Sequence, residues 1–351
     1  MIIPIAAINF NGSEDTIELI DSLMKSGEDF DFIVVDNNSP RKDELEKIGN
    51  HISDKYSTKK ERLSYRTERI VSCEKYAAAD NRIFTLIQAK DNYGFSIGTN
   101  IGLQYAIDTY PKANFLTILN NDTIVTPNFM STIIKKMINY KIGAAMGTIL
   151  YYAYDKPYIW SIGGPIDFYK GQGVHLHKEE VFKRPSEDYV RREFISGCFT
   201  IFRRQALDEI GLLDEDYFFS GEEYQYSYDI GKRYKLAWIP DSIIYHKSEM
   251  GVGNGSSHNI KTLPWQYNAY VTKLVFVNKN KGPVFRLLWH SALLLHLDFV
   301  IKPKYVKTPQ YGIEGYKLMR KWVVKNLNCT RYLNKDFDEF ANAVTLQLGN
   351  K

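Results

Sequence analysis

Short apolar runs broken by polar residues recur along the chain, with helical periodicity in the stretches between them. Ile2–Ile8 reads as a first strand. Asn9–Gly12 turns into a helix with Ser13 or Asp15 at its N-cap and Ile17, Ile20, Leu23 and Met24 on one face, closed by a left-handed Gly27. Phe32–Val35 is a second strand, ending in Asp36-Asn37-Asn38-Ser39-Pro40. Strand, helix and strand so close together predict a βαβ unit and a parallel sheet. Ile83–Ile87, Phe115–Leu119 and Gly143–Ile149 continue the strands. One intervening helix carries Ile101, Tyr105 and Ile107. Another, opened by Thr126-Pro127, buries Phe129, Ile133, Ile134, Met137 and Ile138. The polar residues 41–80 read as an inserted helical or mobile excursion.

Further on, Phe194–Phe202 reads as a strand, Arg203–Gly211 as a short helix, and Trp238–Asp241 with Ile243–His246 as a strand pair. From Trp265 onwards the pattern is helical and aromatic. Tyr267, Tyr270, Leu274 and Val277 share one face, and Phe285, Leu288, Trp289, Ala292 and Leu295 continue it. A core or dimer helix and a helix lying in a membrane interface both fit that pattern.

The polar breaks cluster at strand carboxyl ends, where open α/β sheets bind ligands. Asp36 and the run Asn120-Asn121-Asp122 both fall there. A carboxylate flanked by amides suits a divalent cation and ribose hydroxyls; a polar turn is the alternative. Glycines 94, 98 and 102 lead into a helix without forming GxGxxG, so the dinucleotide fingerprint is missing, as is a Walker loop. Their backbone N–H groups suit a diphosphate, and close helix–sheet packing explains them equally well. The adjacent acids Glu222 and Glu223 suit either a helix N-terminus or proton transfer, and His246 either a capped strand end or a ligand.

Composition narrows the classes. Among 351 residues 44% are hydrophobic and 25% charged, as in a folded globular protein, and the net charge of +4 gives no global field for nucleic acid. The local balance is less even: 13 Lys and Arg against two acids lie between Tyr270 and Lys335, which would suit anionic lipid or phosphate. Cys73, Cys198 and Cys329 form no CxxC, which fits a reducing compartment. The N-terminus lacks a basic leader, and the longest apolar stretch, Pro283–Ile301, is interrupted by Arg286, His290, His296 and Asp298. A spanning helix is therefore not expected.

In order along the chain, Val34-Val35-Asp36-Asn37-Asn38-Ser39, Asn92-Tyr93-Gly94-Phe95 with Asn100, and Leu119-Asn120-Asn121-Asp122-Thr123 are joined by Trp160 with Gly163-Gly164 and by Ser196-Gly197-Cys198 with Arg203-Arg204. Phe218-Phe219 with Gly221-Glu222-Glu223 and Pro240-Asp241 with Tyr245-His246 complete the set. Together they resemble the family 2 glycosyltransferases of GT-A fold, in particular the bacterial rhamnosyltransferase-like branch, over about residues 1–250.

The resemblance implies an α/β fold with a Rossmann-like, mostly parallel central sheet flanked by helices. It would comprise a glycosyltransferase domain over 1–255, with a nucleotide-sugar half to about 150 and an acceptor half beyond, and a helical extension over 256–351. It implies inverting transfer from a nucleoside diphosphate sugar, with L-rhamnose from dTDP-rhamnose as the first choice. UDP-hexose, UDP-galactofuranose, a UDP-N-acetylhexosamine and a non-catalytic binding member stay open. Asn9, Asp36, Asn38, Asn92, Gly94, Asn100, Asn121 and Asp122 would hold the donor. Asp122 and His246 would hold Mg²⁺ or Mn²⁺, and Glu223 or Glu222 would be the base, with Glu223 favoured. The acceptor would be a glycan or lipid-linked oligosaccharide. The implied setting is cytoplasmic, peripheral on the inner face of a bacterial plasma membrane, with a homodimer open. The chain departs from the family pattern in having a single carboxylate at the DxD-type position, Gln225 where an acid is usual, and Thr272-Lys273 where Arg-Asn is common.

Overall fold

The computed structural model describes residues 2–65, 67–248, 262–306 and 311–349. It contains two compact units. The first comprises Met1–Ile166, Gly173–Asp214 and Glu223–Gly253, and the second Asp167–Gln172, Glu215–Glu222 and Asn254–Lys351. The boundary expected at 255 lies outside the described residues, as do Arg66 and Lys307.

The first unit begins with β1 (Ile3–Asn9), α1 (Ser13–Met24), β2 (Phe30–Asp36), α2 (Glu44–Lys55), β3 (Ser57–Arg62), β4 (Ile70–Ala78) and β5 (Ile83–Ala89). Next come α3 (Gly94–Thr109), β6 (Phe115–Leu119), β7 (Thr123–Val125), α4 (Phe129–Tyr140), β8 (Ile142–Tyr151) and β9 (Ile159–Ser161). Two short strands, β10 (Ile166–Asp167) and β11 (Gln172–Gly173), precede β12 (Val190–Arg192), β13 (Phe199–Arg203), α5 (Arg204–Ile210), α6 (Glu222–Gly231) and β14 (Lys235–His246).

The main sheet runs β12-β14-β8-β13-β6-β1-β2-β5-β4-β3, with β7 on β14 and β9 on β8. β6, β1, β2 and β5 are parallel to one another, and β13 sets the first antiparallel step away from them. β2 and β6 are buried at every position because helices cover both faces, so each reads as an unbroken apolar run.

Several local expectations change. The polar segment 41–80 is ordered: it supplies α2 and the antiparallel strands β3 and β4, which extend the sheet. α1 has Gly12, not Ser13 or Asp15, before its first turn. α4 starts at Phe129 behind a left-handed Asn128, while the Thr126 hydroxyl donates to the Ile243 carbonyl. Ile138 is exposed. β13 is shorter than Phe194–Phe202. The expected strand pair around Pro240 is the single strand β14, which keeps its pairing with β8 through a register shift between Ile239 and Ile243. Proline lacks the ladder N–H, and a bulge absorbs that loss.

The glycine-rich stretch is itself the start of α3. Gly94 has φ of +78°, whereas Gly98 and Gly102 let the helix approach the sheet. A Cβ on Gly102 would lie 2.9 Å from Ala6 Cβ and 3.3 Å from Val35 Cγ2, and one on Gly98 would lie 3.1 Å from Ile8 Cδ1. At these two positions packing, not phosphate, explains the glycine.

The second unit has its own apolar core around Tyr217, Tyr267, Leu274, Trp289, Met319, Tyr332 and Phe340. Its helices are α7 (Leu263–Asn280), α8 (Pro283–His296), a π-helical turn (Leu297–Ile301), α9 (Lys302–Val306), α10 (Gly312–Lys325) and α11 (Asn334–Leu348). Of the stripe expected on α8, Trp289 is buried, whereas Leu288, Ala292 and Leu295 face solvent. The stretch Pro283–Tyr305 is long and apolar enough to cross a membrane by length and composition, contrary to expectation. The charges that interrupt the run are few, and Asp298 is paired with Arg320 at 2.8 Å.

Gly102→Val forces a branched side chain against Ala6 and Val35. It should lower unfolding free energy by about 1–3 kcal/mol, measured by urea denaturation. An unchanged midpoint would mean that α3 can lift off the sheet at no cost.

Candidate active site

The carboxyl ends of β1, β2 and β6 meet in a dense polar network. Asn9 pairs in register with Asp36. The Asp36 carboxylate is buried and accepts four hydrogen bonds: Asn9 Nδ2 at 2.8 Å, Ser39 Oγ at 2.6 Å, Ser39 N at 3.1 Å and Gln88 Nε2 at 2.9 Å. Asn9 Nδ2 also reaches Glu44 Oε2 at 3.3 Å, and that carboxylate receives the Ser13 N–H at 2.7 Å. Asn121 Nδ2 donates to Thr16 Oγ1 at 3.0 Å and to the Gly12 carbonyl at 3.2 Å.

Asn9, Asp36 and Asn121 therefore direct these polar atoms at one another. Asn100 is likewise committed: its amide clips Leu213, donating to the carbonyl at 2.8 Å and accepting from the N–H at 3.0 Å. Asn92 Oδ1 accepts from Gly94 N and from Asn37 Nδ2, whose other bond goes to the Gly94 carbonyl. Asn38 takes a left-handed φ of 55° at the β2 exit.

Asp122, one residue past this network, points elsewhere. Its Oδ1 lies 3.0 Å from Nε2 of the buried His246, because β7 pairs with β14 and sets Thr123 opposite His246. The Lys247 N–H donates to the Asp122 carbonyl at 3.0 Å and steadies the turn. His246 Nδ1 is buried without a hydrogen-bond partner among the described residues, and the Trp160 ring packs edge-on at 4.4 Å between centroids.

The Asp122–His246 separation suits a direct hydrogen bond. It also suits neighbouring positions around a cation, since two ligands about 2.1 Å from an octahedral ion lie about 3.0 Å apart. Among the described residues no group of three or more His, Cys, Asp and Glu gathers as a complete cage. The pair thus fits a divalent ion that completes its shell with phosphate and water.

Glu223 opens α6. Its carboxylate accepts the Gly197 N–H at 2.9 Å and the Ser196 hydroxyl at 3.3 Å, and burial pushes its pKa up to about 6 against those two hydrogen bonds. Antiparallel pairing of Phe199 with Leu119 brings 196–198 beside 120–122, and Asn120 N donates to the Cys198 carbonyl at 2.9 Å. Burial pushes the Cys198 thiol up, and the negative charges of Asp122 and Glu223 push it further. Both carboxylates therefore face the same turn. Asp36, Asp122 and Glu223 share one edge of the first unit. Glu222 is buried and belongs to the second unit.

Two residues near this edge carried no sequence signal. His175 Nδ1 lies 2.8 Å from Ser161 Oγ, its ring is edge-on to Trp160 and Phe194, and burial pushes its pKa down to about 4. Lys178 holds its ammonium 5.9 Å over the Trp160 ring and adds a positive charge near Glu223. Single residues in an irregular loop have no periodicity to reveal them.

Residues 64–211 match the model for Glycosyl transferase family 2. Over that span, less than half of the chain, the sequence is similar to family 2 glycosyltransferases. The matched span holds Asn92, Gly94, Asn100, Asn121 and Asp122, while Asn9, Asp36, Asn38, Glu222, Glu223 and His246 lie outside it. Solved structures of glycosyltransferases share the fold. GalNAc-T7, determined with UDP, GalNAc and Mn²⁺, is 15% identical with a TM-score of 0.55; the match covers 99% of this chain and 58% of that one. The mannosyltransferase PcManGT from Pyrobaculum calidifontis, in complex with GDP-Man and Mn²⁺, is 11% identical with a TM-score of 0.51 and covers 99% and 80%. This chain thus spans less than two thirds of the first of these. No curated protein matches the sequence.

Between the usual glutamate value and about pH 6, the folded domain keeps a proton on Glu223 that the unfolded chain has released. Stability falls as pH rises through that window, and the deficit is complete above it. Glu223→Gln should recover on the order of 1–2 kcal/mol at pH 8 and almost none at pH 4. Thermal unfolding at both pH values checks this; an equal effect at both would remove the raised pKa.

Proposed function

We propose that the chain is an inverting, metal-dependent glycosyltransferase that moves a sugar from a nucleoside diphosphate sugar to an acceptor hydroxyl. The observation that carries the reading is that Asp122, paired with His246, and Glu223 both face the turn 196–198. Asp122 and His246 would hold Mg²⁺ or Mn²⁺, and the bound ion would supply positive charge for the departing diphosphate. The two solved relatives that carry Mn²⁺ with a nucleotide or nucleotide sugar support this assignment.

Glu223 accepts the acceptor's hydroxyl proton as that oxygen attacks the anomeric carbon. A carboxylate with a pKa near 6 is deprotonated at neutral pH yet more basic than an exposed one, as general-base catalysis favours. One displacement inverts the anomeric centre, so no second carboxylate is needed as a nucleophile. The Trp160 ring, with neutral His175 packed edge-on against it, covers one side of His246 with apolar surface. The donor we assign is dTDP-L-rhamnose, on the sequence resemblance. The acceptor we assign is a glycan or lipid-linked oligosaccharide of a bacterial surface polysaccharide, reached from the inner face of the plasma membrane.

Asp122→Ala should lower kcat/KM for transfer by at least about a thousandfold, because the diphosphate loses its cation anchor. His246→Ala should raise the Mn²⁺ concentration needed for half-maximal activity by about ten- to a hundredfold. Nucleoside diphosphate release across a panel of dTDP- and UDP-sugars reads both and identifies the donor. Near-native turnover by Asp122→Ala would overturn the assignment.

A further inference from the structure

Within the second unit, α8, the π-helical turn and α9 form one continuous helix from Pro283 to Tyr305 with two unlike faces. Trp289, His290, Leu293, Leu297 and Tyr305 are buried. The opposite side is apolar and open: Val284 is 73% exposed, Leu288 66%, Leu295 57% and Phe299 75%. These residues recur at spacings of four and seven positions, so they form one stripe. The π-helical turn adds residues to its loop of helix and leaves Phe299 and Val300 both on the solvent side.

The ends of the stripe are cationic. Arg286 and Lys281 lie at the start, and the exposed Lys302 and Lys304 at the close. The lone acid of the stretch, Asp298, is engaged by Arg320 through both carboxylate oxygens and by the Tyr316 hydroxyl. At the N-terminal end Tyr169, 85% exposed, sets its ring 5.9 Å from Phe285, while its carbonyl accepts from Trp289 Nε1. An apolar stripe with an aromatic at its margin, cations at both ends and no uncompensated acid is complementary to an anionic lipid surface.

We propose that this face docks flat into the headgroup region of an anionic bilayer. The helix does not span: one side is occupied by the unit's own core, and the Asp298–Arg320 pair would have to enter hydrocarbon. The site deepens the membrane-side placement proposed above and rests on it for the choice of a bilayer as the partner. Vesicle binding is read without turnover, so its failure would leave the transferase reading standing.

The test is co-sedimentation of the full chain with phosphatidylcholine vesicles, with and without phosphatidylglycerol. Binding should require phosphatidylglycerol and weaken with salt. The double variant Leu288→Glu/Phe299→Glu should reduce the partition coefficient about tenfold or more, and Lys302→Glu/Lys304→Glu should reduce it by roughly fivefold or more per lysine. All four side chains are exposed, and circular dichroism confirms that the variants fold. Lack of binding to phosphatidylglycerol vesicles would overturn the proposal. So would retention on membranes after alkaline carbonate, which would mean a spanning helix. A lipid-free dimer that Phe299→Glu dissociates would assign the face to a second copy instead.

Discussion

A buried carboxylate must be matched by donors, and Asp36 meets that demand at the point where the sheet opens. Its four hydrogen bonds come from β1, the turn after β2, and β5, so one side chain ties three strand exits together. Asn9 passes the connection on to Glu44 and to Asn121, and so reaches α2 and β6. A partly satisfied network of this kind costs more than an apolar core would, so it permits few arrangements of the strand ends. Asp122 is the next residue after the network, and the pairing of β7 with β14 turns it toward His246.

The chemistry at this edge depends on contrast between carboxylates. Asp36 is enclosed by donors. Asp122 is partly open and faces an imidazole. Glu223 is enclosed with two donors and a raised pKa. In the proposed function, groups of one type would thus take three roles, as holder of the fold, ligand and base, according to how much water and how many N–H groups surround each. His175 belongs to the same scheme, since burial keeps it neutral and it adds no competing charge.

What the sequence disclosed follows from the range of the interactions involved. β2 and β6 were legible because burial on both faces leaves an uninterrupted apolar run of strand length. The strand-end placement of Asp36 and Asp122 followed from the same runs. The roles of Asn9 and Asn100 were not legible, because their partners lie 27 and 113 positions away and an amide carries no sign of which way it turns. The hairpin in 57–78 was hidden by its own polarity: β3 is Ser-Thr-Lys-Lys-Glu-Arg, with no apolar alternation to announce a strand. Leu288 and Leu295 left two readings open, since apolar periodicity gives the existence of a face but not what covers it.

Both margins of the long sheet carry cations. β3 brings Lys59, Lys60 and Arg62 to one rim, and β12 brings Arg191 to the other. An open sheet otherwise offers unsatisfied amides to any neighbouring strand. Two copies approaching rim to rim would bring like charges together before a single ladder bond could form. The same residues that disguised a strand in the sequence thus act as fences against fibrous self-association.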